Sequence, residues 1–133
     1  MAKERWEESE VAAVKALEAF MAALNAGDNQ ALYDVMHIPH IRISGGGVAI
    51  FNTRRELEKN YLKGFAARAG DRWHHTVLDW AEPLHSSEDK VHLYIQWTRY
   101  DEDGGQLASH QALWIMTRVD GHWGAQCRSS FAP

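Results

Sequence analysis

The sequence predicts an α+β fold in which three helices of the N-terminal half pack on one face of a strongly curved antiparallel sheet. The last third, residues 90–131, contains three consecutive strand patterns separated by the turn sequences DEDGG and DG. The first half contains helical patterns in which apolar residues recur every three or four positions. Helices followed by a strand meander are typical of an α+β architecture.

The first helix is predicted over residues 4–26, where Leu17, Phe20 and Leu24 share one face. Gly27 suits the position that closes this helix, and Asp28 or Asn29 can cap a second helix over residues 30–36. Pro39 cannot continue a helix, so the chain is expected to become extended there.

A hairpin around the triple glycine 45–47 should follow, and then a third helix that Asn52 or Thr53 caps, with Glu56 placed for a capping box. The next segment, 72–84, is predicted to be a long strand. The favoured orientation turns Trp73, His75, Val77 and Asp79 inward. The alternative orientation turns inward Thr76, Leu78 and Trp80.

Asp120-Gly121 is a two-residue hairpin signal, because both central positions of such a turn need φ above zero. It sets an expected register in which Met116 faces Ala125. Continued without interruption, that register pairs Trp114 with Cys127, Ala112 with Ser129, and His110 with Phe131. Alternation then predicts an apolar inner face and an outer face that includes Gln111, Leu113, Gln126, Arg128 and Ser130.

The composition excludes several classes of partner. The net charge is −4, so binding to nucleic acid or to an anionic membrane surface is not expected. The single cysteine, Cys127, fits a reducing compartment, and together with the charged N-terminus this favours a cytoplasmic location. The eight histidines lack metal-ligand spacing, so we expect neither a metal nor an organic cofactor.

The element order and four segments, MHIPHIRISGGG, DRWHHTVLDW, KVHLYIQWTRYDEDG and DGHWGAQCRSSFAP, resemble the SnoaL-like branch of the nuclear transport factor 2-like superfamily. The resemblance covers residues 1–133 as one domain. It implies a cystatin-like cone with a pocket between helices and sheet, and a homodimer formed through the open sheet face. Members include ketosteroid isomerases, polyketide cyclases, dehydratases, epoxide hydrolases and non-catalytic binding domains, so the resemblance implies no single activity.

Five residues are candidates for acid–base catalysis: His110, His75, His40, Asp79 and Tyr61. A histidine in a pocket can exchange protons near neutral pH, and burial would raise the pKa of an aspartate into a useful range. The structural alternative is that these histidines are core residues bonded to backbone or to Ser129. The candidate ligand-binding residues add a cationic group near Pro39 and an aromatic lining: His37, Arg42, Trp73, Trp97, Trp114, Ser129 and Phe131.

These residues favour a protein with a pocket for a small hydrophobic molecule, and its histidines could support cofactor-independent isomerisation or dehydration of an oxygenated ligand. A non-catalytic binding or dimerisation module is the alternative. A weaker alternative is an epoxide hydrolase that uses Asp79 and Arg99.

Overall fold

A computed structural model describes residues 4–133 of the chain. These residues form three helices and six strands. In chain order the elements are α1 (Glu7–Ala26), α2 (Asn29–Asp34), β1 (Met36–Ser44), β2 (Gly47–Phe51), α3 (Arg54–Ala69), β3 (His75–Ser86), β4 (Lys90–Tyr100), β5 (Gln106–Val119) and β6 (His122–Ser130). This confirms the predicted α+β order, with the helices packed on a curved sheet.

The six strands form one sheet in the order β2-β1-β6-β5-β4-β3. Every neighbouring pair is antiparallel except β1 and β6, which are parallel. The sheet is therefore mixed, where the sequence predicted an antiparallel one. Consecutive strands joined by short turns must be antiparallel, but β1 and β6 lie far apart in the chain and no turn constrains their relative direction.

Local signals set the helix ends. Gly27 ends α1 in the left-handed conformation, at φ 68°, and the Asp28 side chain caps α2 by accepting from the Ala31 amide at 3.2 Å. Thr53 caps α3, accepting from the Glu56 amide at 3.1 Å. The second helix stops at Asp34, earlier than predicted, because the chain joins the sheet there: the carbonyl of the next residue, Val35, accepts from Ala125 of β6.

The strand β3 adopts the alternative orientation for its first residues. Thr76 is 4% exposed and faces the helices, whereas Val77 is 40% exposed. The side chain of Asn25, in α1, explains this choice: it donates to the Thr76 carbonyl at 2.7 Å and accepts from the Thr76 amide at 2.8 Å. A register shift after Leu78 then turns Trp80 to the outer face of the sheet.

The strand β6 contains a β-bulge that changes the predicted faces. Met116 pairs with Ala125 as expected, but Trp114 pairs with Arg128 and Ala112 pairs with Ser130. The extra residue is Gln126, whose side chain donates to the Pro39 carbonyl and accepts from the Thr117 hydroxyl. Since side chains alternate along a strand, one extra residue moves Arg128 and Ser130 to the inner face and Ser129 to the outer face.

The helices and the inner sheet face enclose an apolar core. Its fully buried members include Leu17, Phe20, Leu57, Leu93 and Met116, which are the apolar positions that the periodicity predicted. None of the helices within residues 4–133 is long and apolar enough to cross a membrane.

The turn between β5 and β6 provides a test of the hairpin register. Asp120 and Gly121 have φ of 52° and 77°, as such a turn requires. Gly121→Ala should lower the free energy of unfolding by about 1–2 kcal/mol, because a Cβ is strained in this conformation. Gly46→Ala is the matched control, since Gly46 lies outside the positive-φ region and its added Cβ would meet only ordinary contacts. Urea unfolding checks both variants, and an equal loss for the two would contradict the prediction.

Candidate functional site

A cavity lies between α1, α3 and the inner face of the sheet, and four arginines line it. We call it the arginine cavity, after Arg42 of β1, Arg68 of α3, Arg99 of β4 and Arg128 of β6. The other lining residues are mostly apolar or aromatic: Phe20, Met21, Leu24, Tyr61, Phe65, Thr76, Trp97, Trp114 and Ser130. Its volume is about 40 Å³. A water needs roughly 10–15 Å³ of such space, so the cavity has room for about three waters or a small polar head group.

Strand alternation places three of the arginines in the cavity. Arg42 shares a face with buried His40, and Arg99 shares a face with buried Trp97. Arg128 reaches the same face only because of the bulge at Gln126. Each of the three arginines is 8% exposed. Charged side chains are rarely buried to this extent unless they are paired with a partner group.

Arg68 reaches the cavity from the last turn of α3 and is only partly buried. Its guanidinium lies over Gly64, where an added Cβ would come within 2.9 Å of Arg68 Nη1. The missing side chain at Gly64 therefore lets this arginine bend along its own helix.

The hydrogen bonds of these arginines leave much of their donor capacity unused. Arg42 donates to Ser44 Oγ at 2.7 Å, and Arg99 makes a long contact of 3.5 Å to the Arg68 carbonyl. Within residues 4–133, the Nε and Nη2 atoms of Arg128 and the Nε atom of Arg68 are buried and have no hydrogen-bond partner. Buried donors without acceptors are costly, and each such group calls for a specific explanation.

Aromatic rings contact two of the buried guanidiniums. Arg128 Cζ lies 5.0 Å from the centroid of Tyr61 and 5.1 Å from that of Trp114. Arg99 Cζ lies 4.4 Å from the centroid of Trp97. The negative faces of aromatic rings attract cations, which compensates part of the lost hydration.

No carboxylate compensates these charges among the described residues. The ion pairs in residues 4–133 use other arginines, namely Arg5, Arg54, Arg72 and Arg118. Burial, and then repulsion from the neighbouring guanidiniums, lowers the pKa of Arg42 to about 10 and that of Arg99 to about 10. Burial also lowers the pKa of Arg68. At neutral pH Arg42 and Arg99 therefore remain protonated, so the cavity is strongly positive.

The candidate histidines near Pro39 lie outside the arginine cavity. His40 is fully buried, with Nδ1 3.0 Å from the Ala125 carbonyl and Nε2 without a partner among the described residues. Burial, and secondly the positive charge of Arg128, lowers the pKa of His40 to about 3. His37 contacts the Thr117 hydroxyl at 2.8 Å, and burial lowers its pKa as well.

The other candidate catalytic residues, apart from Tyr61, also lie outside the cavity. The ring of His110 packs beside Trp97 at a centroid distance of 5.2 Å, on the inner face but beyond the cavity. His75 stacks on Tyr100 at 5.2 Å. Asp79 is exposed, and it accepts from Thr98 Oγ1 at 2.6 Å on the outer face. The inward orientation favoured for Asp79 is therefore wrong.

The same placement separates Asp79 from Arg99. Asp79 bonds to Gln96 and Thr98, which point outward from β4, whereas Arg99 points into the arginine cavity. The two residues thus lie on opposite faces of the sheet. This geometry does not support the epoxide hydrolase alternative.

Of the remaining candidates, Tyr61, Arg42, Trp97 and Trp114 line the arginine cavity. The other three do not. Trp73 packs against Phe65 at 5.1 Å and donates to Thr76, Ser129 is on the outer face, and Phe131 is 81% exposed beyond the end of β6. The bulge explains the positions of Ser129 and Phe131, because the register expected without a bulge turns both side chains inward.

The sequence interpretation missed Arg68, placed Arg128 on the outer face of the sheet, and considered Arg99 only as a partner of Asp79. Arg99 could have been predicted from the sequence, because every second residue of a strand lies on the same face and Arg99 therefore shares the apolar face of Ile95 and Trp97. Arg128 was hidden by the bulge, for which the sequence carries no recognisable signal. Within residues 4–133, no group of three or more His, Cys, Asp or Glu side chains is arranged to hold a metal ion.

Comparison with known proteins establishes the fold. No family model matches the chain, and no curated protein matches it. A protein of unknown function with a cystatin-like fold from Nostoc punctiforme is similar, with a TM-score of 0.75 and 15% identity over 100% of this chain and 96% of that one. A ketosteroid isomerase-like protein from Erwinia carotovora atroseptica has a TM-score of 0.69 and 20% identity, over 96% of this chain and all of that one.

An NTF-2 like protein of unknown function from Shewanella oneidensis gives a TM-score of 0.68 and 16% identity, over 89% of this chain and 94% of that one. The chain therefore has the cystatin-like, nuclear transport factor 2-like fold that the sequence resemblance implied. At such low identities the likeness concerns the fold alone.

The buried state of His40 predicts a pH dependence of stability. Its pKa is about 3 in the folded protein, against an ordinary 6.5, so the unfolded chain binds the proton more readily between these values. Stability should therefore fall as the pH drops below about 6.5, by about 2 kcal/mol between pH 7 and pH 5 from this residue. Urea unfolding of His40→Gln should show a shallower loss than the wild type over this interval. A His40 ring resonance that titrates near pH 6.5 in the folded protein would contradict the prediction.

Proposed function

We propose that the protein binds a small organic anion in the arginine cavity. One observation carries this proposal: four guanidiniums converge on a cavity whose lining includes no carboxylate. Guanidinium groups bind carboxylate and phosphate oxygens with paired, charge-assisted hydrogen bonds. An anion in this position would accept from the donors of Arg128 and Arg68 that lack partners.

The apolar lining defines the rest of the ligand. Phe20, Met21 and Leu24 of α1 and Phe65 of α3 face the aromatic residues of the sheet across the cavity. Such walls favour an apolar or aromatic body attached to the anionic head. The hydrophobic, oxygen-bearing ligand expected from the sequence is retained in this proposal, with a negative charge added.

Binding without catalysis is favoured over acid–base chemistry. The lining contains no histidine, aspartate or glutamate, and its hydroxyl groups belong to Tyr61, Thr76 and Ser130. A general base must reach the reacting proton, directly or through one water, and protonated arginines cannot serve as one. An isomerase or dehydratase mechanism would need His110 or His75, and neither lines the cavity.

A purely structural role for the arginines is the competing explanation. In that case the aromatic contacts alone would hold Arg99 and Arg128 in place. Each such contact contributes about 0.5–2 kcal/mol, whereas an uncompensated buried charge costs several kcal/mol. Because the aromatic contacts offset less than the cost of the buried charges, a site in which an anion compensates the remainder is favoured over a purely structural role.

Anion binding can be measured with benzoate as the probe and benzyl alcohol as a neutral compound of the same shape. We expect benzoate, and not benzyl alcohol, to raise the unfolding temperature and to bind in calorimetry. Arg128→Met should weaken benzoate binding about 10-fold or more, because a hydrogen bond to a charged group contributes about 1.5–3 kcal/mol.

Arg118→Met is the matched control, since Arg118 pairs with Glu88 and Asp89 on the surface. It should bind benzoate as the wild type does. Equal binding of benzoate and benzyl alcohol, or unchanged benzoate affinity in Arg128→Met, would argue against the proposal. The unfolding midpoint of each variant in the absence of ligand verifies that it is folded.

We also propose that the protein forms a homodimer through the outer face of the sheet. Apolar side chains on this face support the proposal: Val77 is 40% exposed and Trp80, which packs on Tyr94, is 37% exposed. Size-exclusion chromatography with light scattering should give twice the chain mass at micromolar concentration. Trp80→Glu should shift the protein to monomer, and Val11→Glu, at an exposed position of α1 on the helix side of the sheet, should not. A monomeric wild-type protein would refute the dimer.

A further inference from the structure

The charge of the arginine cavity constrains the number of negative charges on the ligand as well as their sign. The four lining arginines face no Asp, Glu or His in that lining, and the ion pairs of residues 4–133 involve other arginines. Even the lowered pKa values of Arg42 and Arg99, about 10, leave these groups charged at neutral pH. A ligand with one negative charge would leave most of this repulsion in place. A ligand with two charges would relieve far more of it.

The directions from which the guanidinium donors approach the cavity also constrain the shape of the ligand's head group. The guanidiniums come from β1, α3, β4 and β6, so they approach the cavity from several sides. A carboxylate offers two oxygens in one plane and suits one or two arginine forks. A tetrahedral head offers oxygens in all directions and can accept from more of them. The partnerless Nε atoms of Arg68 and Arg128 add donors on separate elements.

The size of the cavity agrees with a head group of this kind. A volume of about 40 Å³ holds about three waters, which is close to the size of one tetrahedral oxyanion. The head group would therefore fill this volume, and the apolar body joined to it would extend out of the cavity past lining residues such as Leu24, Phe65 and Trp97.

We propose that the ligand of the arginine cavity is a dianion with a tetrahedral head, of the phosphate monoester class, on a small apolar body. This inference rests on the proposed anion-binding function and specifies its ligand. It separates the phosphate monoesters from carboxylates and sulfonates, which carry a single charge.

Three probes with the same aromatic body test the proposal by calorimetry at constant ionic strength: phenyl phosphate, benzenesulfonate and benzoate. Near pH 7.5 the phosphate is mostly a dianion, and the other two are monoanions. We expect phenyl phosphate to bind at least 10-fold more tightly than benzenesulfonate, which shares its tetrahedral shape. Equal affinity of these two probes would overturn the proposal.

The pH dependence of binding gives an independent readout. The second pKa of a phosphate ester is about 6, so at pH 5 only about a tenth remains dianionic. Phenyl phosphate affinity should therefore fall about 10-fold relative to benzenesulfonate between pH 7.5 and pH 5. The titratable groups that face the head are the four arginines and Tyr61, and the lowered pKa values of Arg42 and Arg99, about 10, lie well above this range. His40, which packs behind Tyr61, has a pKa of about 3 and stays neutral.

Variants connect the preference for a dianion to the arginines. Arg128→Met and, separately, Arg42→Met should reduce the preference for phenyl phosphate over benzenesulfonate, because each removes one positive charge. Arg128→Lys should keep more of the preference than Arg128→Met, and Arg118→Met should keep all of it. A preference unchanged in both methionine variants would contradict the assignment.

The outcomes distinguish this inference from the proposed function. If benzoate and benzenesulfonate bind with a dependence on Arg128 but phenyl phosphate binds no more tightly, the dianion proposal fails and anion binding stands. If none of the three probes binds to the folded protein, the anion-binding function itself is refuted.

Discussion

The structure depends on one electrostatic constraint, which is the burial of several guanidinium groups under the helices without a carboxylate among the described lining residues. Arg42, Arg99 and Arg128 are each more than nine-tenths buried. Such charges destabilise a fold unless hydrogen bonds or an opposite charge compensate them. The aromatic faces of Tyr61, Trp97 and Trp114 supply only part of that compensation. The anion proposed above would supply the rest of that compensation.

The covering helices would turn this cost into affinity for the proposed anion. Leu24 of α1 and Phe65 of α3 line the arginine cavity with apolar surface, which lowers the local dielectric and strengthens the charge interactions inside. Repulsion between the arginines destabilises the fold, and the proposed anion would relieve part of it. Ligand binding and folding would then be linked: an anion that binds only the folded state stabilises it by an amount that grows with concentration. Sites that are incomplete without their ligand commonly sacrifice stability in this way.

The sequence predicts the parts of this fold that depend on neighbouring residues. The Asp120-Gly121 turn, the Thr53 cap and the helix stop at Gly27 are all local, and the structure confirms each of them. The face of β3 was mispredicted because a distant side chain, Asn25, holds Thr76 inward. The parallel pairing of β1 with β6 likewise depends on residues far apart in the chain.

The site was harder to predict than the fold, because a single bulge residue decides which side chains reach it. Without Gln126 as an extra residue, Ser129 would face inward and Arg128 would face outward. The eight histidines are the residues most suited to proton transfer, yet none of them is among the described residues that line the cavity. Arginines are poor proton carriers and good anion ligands. Any chemistry in this cavity would therefore act by stabilising negative charge on a bound molecule, with the proton supplied or removed by the ligand or by water.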